Sequence, residues 1–369
     1  MKKQSLLSIL FIFSLFIALS SCGDDNGYTE IPEPEPEPVP TSPVVVDLNA
    51  VPYSKLSDYK FYTGDIKNLE PALGVLPYDL NSTLFTDYAH KKRFVWMPAN
   101  AKASYTSDNK VLDFPSGAVL IKNFYYNNVQ PTNTTRIIET RLMIKKGNDW
   151  VFANYIWNNE QTEAYLNMDG SYTNVTWDEG GTIKTTNYRI PSGTECFTCH
   201  KSEEKSIPIG PKPQNLNKIY NYSDGTKNQL NKWIEAGYLN NTLPQNIVST
   251  IDWTDASQPV DLRVRSYFDI NCAHCHSEGS HCDYRPIRMA FSETSNPVNL
   301  GICVEAQEDL NGTYTYIIKS GNKDKSVLYH RLHTTVQSER MPLLGRSIEH
   351  EEAVKLIGQW IDAMEEPCP

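Results

Sequence analysis

"NCAHCHSEGSHCD", residues 271–283, places three cysteines and three histidines within thirteen positions. "ECFTCH" at 195–200 repeats the C-x-x-C-H spacing. One chemistry should therefore explain both stretches. A thioredoxin-like redox pair belongs in a βαβ context, which surrounds neither motif. A structural zinc site uses four cysteines, or two cysteines and two histidines, at similar spacing. Covalent haem attachment uses the two thiols for thioethers and the adjacent histidine as proximal iron ligand.

The N-terminus selects among these. "MKKQ" followed by "LLSILFIFSLFIALSS" is a short basic start, an apolar run and small residues, the pattern of an export signal over 1–21 rather than a membrane span. Leu19-Ser20-Ser21-Cys22 resembles the bacterial lipoprotein box, which makes Cys22 the lipidation site. The acidic "GDD" after it is similar to the surface-export signal of some Gram-negative lipoproteins. Residues 22–47 then read as a tether. In "YTEIPEPEPEPVPTSP" alternating Pro and Glu oppose helix and sheet, and the extended chain spans roughly 50 Å. The expected location is an exported, membrane-anchored lipoprotein of the outer membrane, on its periplasmic face or the cell surface. Haem attachment after export fits that route.

Six acids and no bases lie between 22 and 44, so the tether carries much of the net charge of −10. The body is only mildly acidic, which argues against a nucleic-acid partner. Of eight cysteines, Cys22 is assigned to lipid and four to the two motifs, leaving Cys282, Cys303 and Cys368. An oxidising compartment favours a disulfide among these three. Cys282 with Cys303 is the expected pair, with Cys303–Cys368 as the alternative.

The second motif has helical support on both sides. "SQPVDLRVRSYFDI" repeats Val260, Val264, Tyr267 and Phe268 on one face, with Pro259 in the first turn. "SIEHEEAVKLIGQWIDAMEE" gathers Val354, Ile357, Trp360, Ile361 and Met364, with His350 expected at the cap. Between them, Met341 in "ERMPLLG" precedes a proline that favours an extended loop, a way to present a thioether to iron; a core methionine is the competing reading.

"NCAHCH", "GIC", "YIIKSGNKDKSVLYHRL", "RMPLLG" and "EEAVKLIGQWIDAM" together resemble the C-terminal module of a family of exported, largely uncharacterised di-haem c-type cytochromes. "PYDLNSTLFTDYAHKKRFVWMP" and "CFTCHKSEEKSIPIGPKPQNLN" are similar to upstream blocks of the same family. The resemblance implies two covalently attached haem c groups. Cys272, Cys275 and His276 would carry one, with Met341 distal, and Cys196, Cys199 and His200 the other. It also implies redox partner proteins.

No His or Met lies between Lys201 and Asp269. A sixth ligand for the first iron must then come from His90, Met97, Met143 or Met168 upstream, or from His330 or His333. Otherwise that iron is open, or takes water or a lysine amine. His274 and His281 read as surface or haem-edge residues. Residues 48–190 read as β-rich and sandwich-like, from "RFVWMP", "AVLIKNFYY", "TRIIETRLMIKK", "DWVFANYIWN", "EAYLN" and "NVTW" separated by turns. Residues 191–255 form the first haem-binding segment, with a helix expected in "TKNQLNKWIEAGYL". Residues 256–369 form an all-α cytochrome c-like domain, making the chain α+β and multidomain. The expected function is electron transfer with no substrate turnover of its own and no catalytic residues. The alternatives are a peroxidase-like or other redox enzyme with an open first haem, and a surface ligand-binding lipoprotein carrying haem.

Overall fold

The computed structural model describes residues 41–369 apart from 309 and 311. The expected signal segment, Cys22 and most of the tether lie outside these residues. The aromatic and β-branched runs form eight antiparallel strands of one sheet. They are β1 (Leu76–Tyr78), β2 (His90–Trp96), β3 (Val119–Val129), β4 (Thr134–Lys146), β5 (Asp149–Trp157), β6 (Ala164–Leu166), β7 (Ser171–Glu179) and β8 (Thr182–Ile190). Strands β1 to β6 pair in sequence order, and the β7–β8 hairpin joins β3 near its end, Val129 opposite Trp177. Register shifts in β3 at Phe124/Tyr125 and Tyr126/Val129 come just before this branch. Such irregularities bend a strand and increase its local twist.

The two-residue side-chain period gives the sheet two different faces. On one, Phe94, Trp96, Ile121, Leu142 and Tyr155 are buried beneath Leu56, Tyr59 and Phe61 of the preceding coil. A bond between the hydroxyls of Tyr59 and Tyr155, 2.9 Å apart, closes that layer. Val44 and Val46 already pack against it. On the other face Val95, Leu120 and Met143 share a core with Leu216, Leu230, Trp233 and Ile270 from the helical region. The sheet therefore turns its second face toward the part of the chain that carries both C-x-x-C-H motifs.

That region contains α1 (Gly193–Cys199), α2 (Pro213–Leu216), α3 (Gln229–Glu235), α4 (Val260–Asn271), α5 (Pro297–Leu300), α6 (Val327–His333) and α7 (Glu351–Asp362). The architecture is α+β, an antiparallel sheet followed by several short helices. Helices α4 and α7 bury the expected faces, Val264, Tyr267 and Phe268 against Val354, Ile357, Trp360 and Ile361. Val260 instead remains exposed, because the helix begins there and its first turn lies outside the packed seam. The helix expected over 226–239 is shorter. Residues Gly225–Asn228 pair with Ile219–Tyr222 as a hairpin, and Asn228 then caps α3 through its side chain. His350 stands at the start of α7 but makes no cap bond. Its ring stacks on Phe85 at 4.0 Å, and its Nδ1 lies 3.1 Å from the Tyr267 hydroxyl.

Two buried carboxylates tie the layers together. Asp269 of α4 accepts from Lys212, Gln214 and the Phe291 N–H. Asp87 accepts from Thr186 of β8 and from the N–H groups of Ser347 and Ile348. Residues 41–369 accordingly make one compact unit. Among the described residues no helix is long and apolar enough to cross a membrane.

The disulfide joins Cys303 to Cys368, not to Cys282. Cys282 is buried in the turn after the second motif, where its N–H donates to the Cys275 carbonyl at 2.9 Å. The tail beyond α7 instead brings Cys368 to a Cα separation of 5.1 Å from Cys303. The bond spans 65 residues, so its loss releases unfolded-chain entropy equivalent to about 4 kcal/mol. A Cys303→Ala/Cys368→Ala chain is expected to show this loss in thermal or denaturant unfolding, while Cys282→Ala leaves the bond intact.

Candidate functional site: two cysteine–histidine clefts

Ser192 starts α1 with a capping box. Its hydroxyl accepts the Glu195 N–H at 3.3 Å, and the Glu195 carboxylate accepts the Ser192 N–H at 2.7 Å. Arg189 adds an ion pair to Glu195 at 2.6 Å. The helix thus presents Cys196 and Cys199 on a fixed turn, with His200 at its C-cap. His200 Nδ1 lies 2.9 Å from the Ile207 carbonyl. A carbonyl only accepts, so Nδ1 carries the proton and Nε2 keeps its lone pair. Burial first, and the nearby Lys122 charge second, push the His200 pKa down to about 3, so the ring is neutral at ordinary pH. A neutral imidazole with its second nitrogen oriented this way is competent to ligate a metal.

These groups open on a cleft at the surface of the sheet. Its other wall is the second face of the sheet, including Leu120, Lys122, Arg141, Met143, Phe152 and Asn154. Of the six sixth-ligand candidates, Met143 is the one that lines this cleft. Met97 is buried in the adjacent core. Met168 accepts the Asn154 N–H on its sulfur at 3.3 Å. His90 is exposed beside Tyr125. His330 and His333 are held by Glu339 and Glu349 at 2.8 and 2.9 Å.

The second motif follows directly from α4, whose C-cap is Cys272. The His276 N–H donates to the Cys272 carbonyl, and the Met289 N–H donates to that of His276. Cys272, His276 and Met341 line a second cleft together with Phe268, Ile317 and Leu328. Burial pushes the His276 pKa down to about 4, and its Nδ1 is buried with no hydrogen-bond partner. Arg285 and Arg331 also line this cleft, and both pair with Glu308 on the same wall. Burial raises the Cys272 thiol to about 12 and also raises that of Cys196.

The two motifs meet. Cys199, His274 and Cys275 bring potential ligand atoms within 4.8 Å of one another. The Cys275 S–H and His274 hold the Cys199 thiol well below its ordinary range, while the Cys199 charge raises Cys275. His274 lines the first cleft, with its Nδ1 buried and unpartnered, so it is an interior residue of this junction. Exposed His281 and buried Cys282 lie on a smaller gap between the motifs.

Both clefts pass a fit test for a large planar cofactor. Their walls are mainly apolar; the first is lined by Cys196, Cys199, His200 and Met143, and the second by Cys272, His276 and Met341, while Cys275 faces Cys199. Sequence reasoning singled out these groups but not Lys122, Arg141 or Asn154. Only strand register shows that those three share a wall with the first motif. No protein-family model, curated protein or solved structure matches this chain.

Proposed function

We propose that this protein is an exported di-haem c-type cytochrome that carries electrons between redox partner proteins, anchored by lipid at Cys22. One haem c is held by Cys196, Cys199 and His200, with Met143 as its second axial group. The other is held by Cys272, Cys275 and His276, with Met341. The observation that carries the reading is that the histidine and at least one cysteine of each C-x-x-C-H line a separate, mainly apolar cleft, and each cleft has a methionine in its lining. Haem iron supplies reversible one-electron chemistry, tuned by axial ligand, burial and hydrogen bonding.

The chain's own part is to hold and to orient. Ile207 fixes the His200 tautomer, and apolar residues of the sheet face and of α4 line the clefts. Contact between Cys199 and Cys275 sets the two redox sites side by side. Helices α4 and α7, crossing at Phe268 and Trp360 with ring centroids 6.2 Å apart, support a cytochrome c-like reading of 256–369. The β region is read as sandwich-like, its sheet layered between the N-terminal coil and the haem-bearing segment.

One observation favours a second reading. Cys199, His274 and Cys275 form a possible Cys₂His metal site, of a kind zinc uses. That site takes one or two residues from each motif and leaves Cys196, Cys272 and both C-x-x-C-H histidines without a part. Metal analysis of protein matured in a haem-attaching host separates the two. The expected result is two irons per chain, no stoichiometric zinc, and two one-electron steps in a redox titration. A colourless chain with one zinc would establish the second reading instead.

A further inference from the structure

Lys122 lies opposite Arg141, and Arg141 lies opposite Asn154, on three adjacent strands. Directly opposed residues point to the same face, so these side chains form one row along the wall of the first cleft. Arg93 of β2 extends the row on the other side of Lys122. The two arginines have carboxylates of their own, Asp79 at 2.8 Å from Arg93 and Glu139 at 3.0 Å from Arg141. Lys122 has neither an ion pair nor a hydrogen bond among the described residues, and its ammonium lies 5.7 Å from the Phe124 ring. Asn154 is 2 % exposed, and neither its Nδ2 nor its Oδ1 has a partner.

A half-buried cation between two arginines is costly without a counter-charge, and a buried amide is costly without a hydrogen bond. One kind of ligand group answers the cation and the amide Nδ2 together. A carboxylate carries the negative charge and accepts bonds from an ammonium and an amide N–H, in the strong charge-assisted class. We infer that the Lys122–Arg141–Asn154 row is a carboxylate-binding site of the first cleft, and that the carboxylates it takes are those of the haem on Cys196 and Cys199. The second half rests on the function proposed above. A free small carboxylate from solution is the other source with the same chemistry.

The test uses the full chain matured with haem and compares Lys122→Met, Lys122→Arg and Asn154→Leu with the parent. Removing an unpaired cation or amide would leave the melting temperature unchanged or raise it. Removing one bound to a carboxylate lowers it, so the sign of the shift decides. The expected result for Lys122→Met is a fall of roughly 2–4 °C. The potential of the first haem should also fall, because a nearby cation favours the less positive reduced iron. That potential is identified as the one missing from a Cys196→Ala/Cys199→Ala chain. Lys122→Arg should retain both properties, and Asn154→Leu should lower the melting temperature as Lys122→Met does. A Lys122→Met melt that stays or rises, or an unmoved first potential, overturns the inference. Added citrate should leave the parent's melt unchanged; a citrate-dependent rise that Lys122→Met abolishes would assign the row to a free carboxylate and overturn the haem half. Intact mass of the parent, taken first, shows separately whether the haem reading itself has failed.

Discussion

Met341→Ala is expected to turn the second haem iron from low-spin to high-spin and to lower its reduction potential by on the order of 0.1 V, within the roughly 0.8 V that axial ligands span. The methionine lines the cleft of His276, and its backbone is held from both sides. Its N–H donates to the Arg331 carbonyl at 2.8 Å, and its carbonyl accepts from Arg346 Nε at 2.8 Å. Arg346 is 3 % exposed and also binds the carbonyls of Arg331 and Thr334. Asp87 then fixes the next stretch of the loop through the N–H groups of Ser347 and Ile348. With the loop pinned this way, an alanine cannot draw another thioether into place. Met143→Ala should do the same to the first iron and leave the second unchanged. Optical spectra of the oxidised forms and spectroelectrochemical titration read both effects. An unaltered spectrum in Met341→Ala would remove the thioether from the account.

A second large effect is expected at Glu139. The residue is fully buried, pairs with Arg141 and accepts from the Tyr188 hydroxyl at 2.8 Å. Lys91, Lys122 and Arg93 stand on the same sheet face, so Glu139 is a carboxylate surrounded by cations. Replacing it with glutamine keeps the shape but breaks the Arg141–Glu139 ion pair from one side. Breaking a buried pair from one side costs ~3–5 kcal/mol, because the remaining charge stays desolvated. Denaturant unfolding of Glu139→Gln against the parent measures it. A loss below about 1 kcal/mol, no more than an ordinary substitution produces, would show that the pair is not holding this face together.

What the sequence made legible follows from how local each signal is. Strands β2 to β7 were readable because each carries an aromatic or β-branched run bounded by turn residues. Strand β1 was missed because it is three residues with a central proline. Strand β8 was missed because "TIKTTNYRI" is mostly polar, with only Thr186, Tyr188 and Ile190 turned inward. Residues 226–228 carry a helical-looking continuation of α3, yet tertiary pairing with 219–222 draws them into a hairpin. The disulfide partner of Cys303 depended on where the C-terminal tail returns, which cysteine spacing does not encode. At the site, the two C-x-x-C-H motifs and Met341 stood out because their pattern is contiguous or close to a motif. Met143 was one of six candidates until the register placed it on the cleft face. The polar row was invisible, since a lysine, an arginine and an asparagine in three separate strands share no local pattern. The meeting of Cys199 with Cys275, 76 positions apart in the chain, belongs to the same non-local class.

Peptide mapping by mass spectrometry, on protein matured in a haem-attaching host and digested without reduction, tests the central claim most directly. The account predicts one haem on the peptide containing 196–200 and one on that containing 272–276, with Cys282 unmodified and Cys303 linked to Cys368. Peptides from both motifs without added haem would contradict it.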